Sequence, residues 1–281
     1  MKYERIEVKP YGGELGAVVS GVDLSQEMND QIYTEIKQAL LENLVIFFQN
    51  QDITPEQQIS FGRRFGELHV HPYIPHYKNY KEIIELAADA GHTGNNRLAN
   101  EWHVDLSYIQ DPPLAAILRA KIVPQRGGDT MWCNLYKAYD TLSDTMKDML
   151  EGLVAVHDVT KTYRRQELHK ESGTKMYAHS NKTTPPVEHD VIKVHPETDK
   201  KFLYVSELTT THIKGLHEHE SDSILKMLFE HINWKELHCR FHWEKNSIAM
   251  WDNRATVHYA VQNYCAPRHM HRVTVLGEVF N

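Results

Sequence analysis

A mainly β chain, folded as a double-stranded β-helix or jelly roll with flanking helices over one face, is what these 281 residues predict. Three observations carry that expectation. Short apolar strand candidates occur in both halves and crowd the closing third, the best helix signals lie near the start, and no internal repeat or low-complexity tract divides the chain. A single domain over residues 1–281 is the simpler division, and a chain of this length can bury a substantial core.

Glycines at 12, 13 and 21 punctuate a short opening strand around Ala17-Val18-Val19. Asp30 is positioned to cap a helix that carries Ile32, Ile36 and Leu40 at four-residue spacing, one apolar face for a sheet. Leu44 to Phe48 is a continuous apolar run, expected as a strand buried on both faces. Thr54-Pro55-Glu56-Gln57 supplies an N-cap, a proline at the first helical position and a capping-box glutamine, opening a helix through Phe61 and Phe65 to Gly66.

Two prolines keep Leu68 to Tyr77 out of a helix and out of a central strand, so this aromatic and histidine-rich stretch is either pocket-lining or a rigid surface loop. Ile83 to Leu86 is a short strand, residues 91–96 a polar loop, and Pro112-Pro113 introduce a strand from Leu114 to Ala120. Gly127-Gly128 turn the chain into another strand with Thr130 at its start, its hydroxyl free to bind. Leu135 to Leu150 divides into two short helices at Ser143, stopped by Gly152.

Residues 160–190 are polar, basic and poor in aliphatic side chains, too thin in apolar content to build a core; a mobile loop or lid, or a solvated insertion, is expected there. Ser221 is placed to cap a helix carrying Ile224, Leu225, Leu228 and Ile232. Strands follow over Cys239 to Trp243, Ile248 to Trp251 and His271 to Val279, with a hairpin turn at Trp243 to Asn246.

A formal charge of −7 argues against a nucleic-acid binder held by phosphate contacts. Cys133, Cys239 and Cys265 are odd in number and form no CxxC pair, which suits a reducing compartment and excludes a cysteine-rich zinc module. The first residues lack the apolar core of a signal peptide, and no apolar run is long enough to span a bilayer, so a soluble cytoplasmic protein without membrane partners is expected; a homo-oligomer is left open.

Chemistry concentrates at Trp102-His103-Val104-Asp105. In an extended strand residues i and i+2 share a face, so His103 and Asp105 can converge on one point. One imidazole and one carboxylate suit a divalent first-row metal, and a further histidine would complete a facial triad with open positions. Among 19 histidines such a pair also arises by chance, and His195-Pro196-Glu197 and His242-Trp243-Glu244 have similar spacing. Both lead into turn-prone stretches and rank lower. His76, His92, His169, His179, His212, His217, His219, His231 and His238 are taken as bystanders.

His258 follows a strand whose tail, Asp252-Asn253-Arg254, is rich in turn residues, and only sheet pairing could bring it to Asp105. Arg268 and Arg272, four apart on one strand, face the same side roughly 13 Å apart at Cα. Buried arginines are costly unless they meet anions, so the pair implies two small anionic molecules, unless it lies on an exposed edge.

The ordered motifs WHVD at 102–105, GGDT at 127–130, WDNRATVH at 251–258 and RHMHR at 268–272 resemble the taurine dioxygenase (TauD/TfdA) family of Fe(II)/2-oxoglutarate-dependent dioxygenases. The likeness runs from Gly21-Val22-Asp23-Leu24 through Phe65-Gly66-Glu67-Leu68 to Leu276-Gly277. It implies that His103, Asp105 and His258 hold Fe(II). Thr130 and Arg268 would bind the distal carboxylate of 2-oxoglutarate. Arg272 would bind the substrate anion with His71 assisting, and Tyr73, Asn100 and Tyr163 would line the pocket.

Ile74, Ala99 and Thr209 depart from the pattern expected for taurine itself. The activity implied is O2-dependent hydroxylation of a small organic anion, coupled to conversion of 2-oxoglutarate to succinate and CO2. A hydroxylated sulfonate would release sulfite, an alkyl sulfate would release sulfate, and an aryloxyalkanoate a phenol. A zinc hydrolase built on the same three ligands is the alternative of another class. A binding module without catalysis is a third, against which the complete ligand set argues.

Overall fold

The computed structural model describes residues 3–72, 74, 76–88, 100–161 and 184–276. Its strands are β1 (Glu7–Pro10), β2 (Ala17–Ser20), β3 (Val45–Phe48), β4 (His76–Tyr77), β5 (Tyr80–Ala88), β6 (Ala115–Ile122), β7 (Thr130–Asn134) and β8 (Val154–His157). They continue as β9 (Val187–Asp190), β10 (Ile192–Val194), β11 (Lys201–Leu203), β12 (Thr210–Ile213), β13 (His238–Phe241), β14 (Ile248–Asp252), β15 (Thr256–Ala260) and β16 (Arg268–Val275). The helices are α1 (Asp30–Asn43), α2 (Pro55–Arg63), α3 (Leu135–Asp140), α4 (Asp144–Leu150) and α5 (Glu218–Ile232).

An eight-stranded sheet in the order β1-β2-β3-β14-β6-β16-β5-β4 forms one layer, and a three-stranded sheet β13-β7-β15 belongs to the other. Strand alternation explains how the large sheet serves two cores. In β3, Val45 and Phe47 join a cluster with Trp132, Phe241 and Trp251, whereas Ile46 and Phe48 join Ile36, Leu40 and Phe61 from α1 and α2. β6 and β14 divide likewise: Leu118 and Trp251 turn to the first cluster, Ile117 and Met250 to the second. Within the apolar run at 44–48, Val45–Phe48 is a strand buried on both faces while Leu44 is the C-cap of α1, and the inter-sheet core is aromatic, with Phe47 stacked on Phe241 at 4.1 Å.

Several element boundaries differ from expectation. Asn29, not Asp30, caps α1, its side-chain oxygen accepting from Ile32 N–H at 2.9 Å. The Thr54–Gln57 capping box forms as expected, but α2 ends at Arg63, and Gly66 at φ 150° lies where a Cβ would come 2.7 Å from the Leu276 carbonyl. His217 rather than Ser221 caps α5, because Glu220 accepts the His217 N–H at 2.8 Å; Ser221 lies inside the first turns and accepts from Ile213 N–H. β6 starts at Ala115 and runs to Ile122, β13 spans His238–Phe241, and β16 starts at Arg268, placing both arginines within the last strand.

The two helices divide at Ser143 as expected, its side chain capping α4, and Gly152 adopts φ 77° just beyond that helix. Of the expected 160–190 loop, residues 162–183 lie outside the described residues, and Val187–Asp190 is strand β9, paired with β8 and burying His189. Among the described residues, no helix is long and apolar enough to cross a membrane.

Candidate metal centre

His258 lies in β15, whose other side pairs with β7, and opposite it in an isolated antiparallel bridge stands His103. Both backbone hydrogen bonds of the bridge form: His103 N–H donates to the His258 carbonyl at 3.0 Å and His258 N–H to the His103 carbonyl at 2.8 Å. Directly opposed residues of an antiparallel pair present their side chains on one face, so the rings meet with centroids 4.0 Å apart. Sheet pairing thus closes the long sequence gap.

Asp105 arrives differently from expectation. Beyond His103 the strand gives way to a turn, with Leu106 at φ 55°, so strand alternation does not deliver the carboxylate. Asn253 does. Its fully buried amide accepts from Asp105 N–H at 3.0 Å and donates to the Asp105 carbonyl at 2.9 Å and to the Pro113 carbonyl at 3.2 Å. The ligand atoms of His103, Asp105 and His258 all lie within 4.8 Å of one another, and all three residues are buried.

The protonation states suit a metal. The His103 Nδ1–H donates to the Glu101 carbonyl at 2.7 Å, leaving Nε2 with its lone pair. Burial, opposed by Asp105 and reinforced by Arg272, pushes His103 down to about 4, and burial with the neighbouring His103 pushes His258 well below its ordinary value. Burial alone would raise Asp105, but the charges of Arg272, His258 and His103 outweigh it and hold the carboxyl below the usual range. Two neutral imidazoles and an anionic carboxylate are the donor set that a divalent first-row cation takes. Asp105 Oδ2 and His258 Nδ1 are buried without a hydrogen-bond partner among the described residues, and Oδ2 lies 3.9 Å from His258 Nε2. A carboxylate oxygen without a protein partner among the described residues, facing two imidazoles, fits a divalent cation.

Arg272 comes to the same point, its Nη1 donating to Asp105 Oδ1 at 2.6 Å. Arg268 is buried at the other end of the strand face, its Nε–H donating to the Gly128 carbonyl at 3.0 Å with the Tyr264 ring 5.9 Å from its guanidinium. Gly128 is at φ 74°, and a Cβ there would sit 3.1 Å from Arg268 Cδ. The GGDT turn is therefore shaped around this arginine. The Thr130 Oγ1 accepts from Trp243 Nε1–H at 2.9 Å, which orients the hydroxyl and leaves its proton for an acceptor. Asp129, the residue between, is tied to Arg240 at 2.6 Å and His242 at 2.9 Å.

His71 is buried, and its Nδ1 accepts from Ile74 N–H at 3.0 Å. Burial and the charge of Arg272 lower it to about 3 and lower His69 as well, so both imidazoles lie within reach of that charge. Asn100 is half-buried and makes no hydrogen bond to the triad among the described residues. Tyr73 and Tyr163 lie outside the described residues, as does Ala99. Thr209 is buried with its hydroxyl 2.6 Å from that of Ser107.

Of the lower-ranked histidines, His195 is fully buried on Asp252 at 3.0 Å, a structural role. His231 and His238 contact the Ala138 and Ile232 carbonyls; His92, His169 and His179 lie outside the described residues. The sequence reading missed Asn253, His69, Asp129 and Tyr264. Asn253 lies inside the WDNRATVH motif, where an amide between an acid and an arginine is the available signal.

The family model for "Taurine catabolism dioxygenase TauD, TfdA family" matches residues 7–274. An alkylsulfatase of Acinetobacter baylyi is 33% identical over 98% of this chain and 86% of its own length. An alpha-ketoglutarate-dependent sulfate ester dioxygenase of Pseudomonas putida is also 33% identical, over 98% of this chain and 90% of its own. The crystal structure of a taurine dioxygenase from Burkholderia xenovorans superposes with a TM-score of 0.83 at 33% identity, covering 98% of this chain and 91% of that one.

Proposed function

The chain belongs to the TauD, TfdA family of dioxygenases, and from that premise we propose that it hydroxylates a small organic anion, a sulfonate first, with release of sulfite from the hydroxylated carbon. Sulfate esters and aryloxyalkanoates are the alternatives. Enzymes of this family use Fe(II), 2-oxoglutarate and O2. One domain over residues 1–281 carries the reaction in this reading, in keeping with a family match that spans both helices and sheets. The observation that carries it is the convergence of His103, Asp105 and His258 around an unpartnered carboxylate oxygen.

In this reading His103, Asp105 and His258 hold the iron. Bound iron would activate O2 with 2-oxoglutarate as reductant, converting it to succinate and CO2 and supplying one oxygen atom for a substrate C–H bond. The protein's part is placement and exclusion of water. Arg268 and Thr130 take the distal carboxylate of 2-oxoglutarate, the guanidinium fixed by Gly128 and the hydroxyl by Trp243. Arg272 takes the substrate's anion, with His71 held in one tautomer beside it by Ile74 N–H. A zinc hydrolase would leave Arg268 and Thr130 without a role.

The deciding experiment is succinate formation by anaerobically purified protein given Fe(II), 2-oxoglutarate and O2, across sulfonates, alkyl sulfates and aryloxyalkanoates. Succinate that rises only with one class identifies both the reaction and the substrate class. Iron-loaded protein that fails to bind 2-oxoglutarate would put the zinc hydrolase in first place instead.

The two arginines are separable. Arg268→Ala removes charge-assisted hydrogen bonds of about 1.5–3 kcal/mol, so 2-oxoglutarate binding weakens about 10- to 150-fold with little change in substrate KM. At saturating Fe(II), which compensates for the loss of the Arg272 contact to Asp105, Arg272→Ala should show the reverse pattern. Equal losses for both ligands in both variants would sink the division of labour.

A further inference from the structure

We propose that Arg272 does two jobs at once: it fixes the carboxylate of Asp105 for the metal and carries the substrate's anionic group, so that metal and substrate bind cooperatively through one guanidinium. This rests on the reading of the chain as a dioxygenase of an organic anion.

The contact divides both partners. On the carboxylate, Oδ1 accepts from Arg272 Nη1 at 2.6 Å, while Oδ2, the oxygen beside His258, has no hydrogen-bond partner among the described residues. Asp105 is thus held by its side chain from one side and by Asn253 through its backbone, with one oxygen left to give. On the guanidinium, Nη1 is spent, but Nε is buried and has no hydrogen-bond partner among the described residues. Nε–H and the adjacent Nη2–H form the side-on fork of an arginine, the edge that matches two oxygens of a sulfonate, sulfate or carboxylate. Asp105 leaves that fork intact. An Nε–H buried without an acceptor is costly, and an anion seated in the fork would relieve it.

Cooperativity follows from the charges. Only 12% of the Arg272 side chain is exposed, and Asp105 is its single ion-pair partner among the described residues. With the fork empty, one buried positive charge sits directly behind the carboxylate that a dication must share. An anion in the fork offsets that charge without removing Nη1 from Oδ1, so the metal binds more tightly. Linkage requires the metal to tighten the anion by the same factor, and couplings of this kind amount to about 5- to 150-fold.

The test is Co(II) affinity, measured by absorption titration of the metal-free protein under anaerobic conditions, with and without saturating taurine, hexyl sulfate or 2,4-dichlorophenoxyacetate. The anion that supports succinate formation should lower the Co(II) dissociation constant on the order of tenfold. Arg272→Met should bind Co(II) with no response to the anion, and Arg272→Lys, which keeps a charge but not the fork, should keep a fraction of the response. The proposal is overturned if a turned-over anion leaves wild-type Co(II) affinity unchanged, or if the shift persists in Arg272→Met. The wild-type comparison decides the first point even if neither variant folds. Absence of succinate with every anion would have a different signature, and would remove the functional reading and the coupling together.

Discussion

Asp105→Asn should fold normally yet lose Fe(II) binding, and with it succinate formation should fall to background. The asparagine keeps the backbone clamp of Asn253 and an oxygen that can accept from Arg272 Nη1, so the local structure survives. What it loses is the anionic oxygen that has no hydrogen-bond partner among the described residues and lies beside His258. A neutral amide is a weak ligand for a first-row dication, and the remaining two imidazoles alone make a poor site. Asp105→Ala should lose the metal equally but also stability, since it strands the mostly buried Arg272 without its anion. His103→Ala should abolish the metal as well while leaving the backbone bridge to His258 in place. The measurement is metal content and Co(II) titration beside urea unfolding. Turnover surviving in any of these variants would mean that the metal is held elsewhere.

The ligands were legible in the sequence because they are covalently local or lie in ordered motifs: His103 and Asp105 are two apart, and His258 ends a recognisable strand and turn. The route by which they meet was not. Strand alternation correctly placed Val45 and Ile46 on opposite faces, yet it was the wrong reason for Asp105, which sits in a turn held by an amide distant in sequence. A buried side chain that clamps backbone leaves no periodic trace. That Trp243 orients the Thr130 hydroxyl was not legible either, because Trp243 lies in the segment following a strand that only the folded sheet brings alongside. Caps were misplaced by one residue at α1 and four at α5 for the same kind of reason. Asn29 and His217 win because each completes hydrogen bonds across the first turn, and several polar residues in a row compete for that place.

Asp252→Ala should cost about 3–5 kcal/mol of stability and weaken metal binding although Asp252 touches no ligand. Its carboxylate is fully buried and accepts from His195 Nε2 at 3.0 Å, Arg254 N–H at 2.9 Å, Arg254 Nε at 3.0 Å and Arg254 Nη2 at 2.6 Å. Arg254 continues to Glu197 at 2.9 Å and Glu197 to Lys37 at 2.6 Å, joining the β14–β15 hairpin to α1. Truncation leaves a buried guanidinium with half its anionic partners, which is the expensive way to break such a network. Asn253 is the next residue, so a loosened hairpin shifts the amide that fixes Asp105 at the same time as the strand that carries His258. Burial disfavours the Asp252 charge, but Arg254 and His195 outweigh it and hold the carboxyl far below the usual range. A depressed folded value means that the contribution is complete above the unfolded carboxyl pKa of about 3.9 and is lost only as pH falls through the folded value. The difference in unfolding free energy between wild type and variant should therefore stay flat from about pH 5 upward and shrink on strong acidification. Urea denaturation at several pH values measures it. A difference that instead collapsed between about pH 6 and 8 would point to histidine titration rather than to the Asp252 carboxylate as the source of the stability.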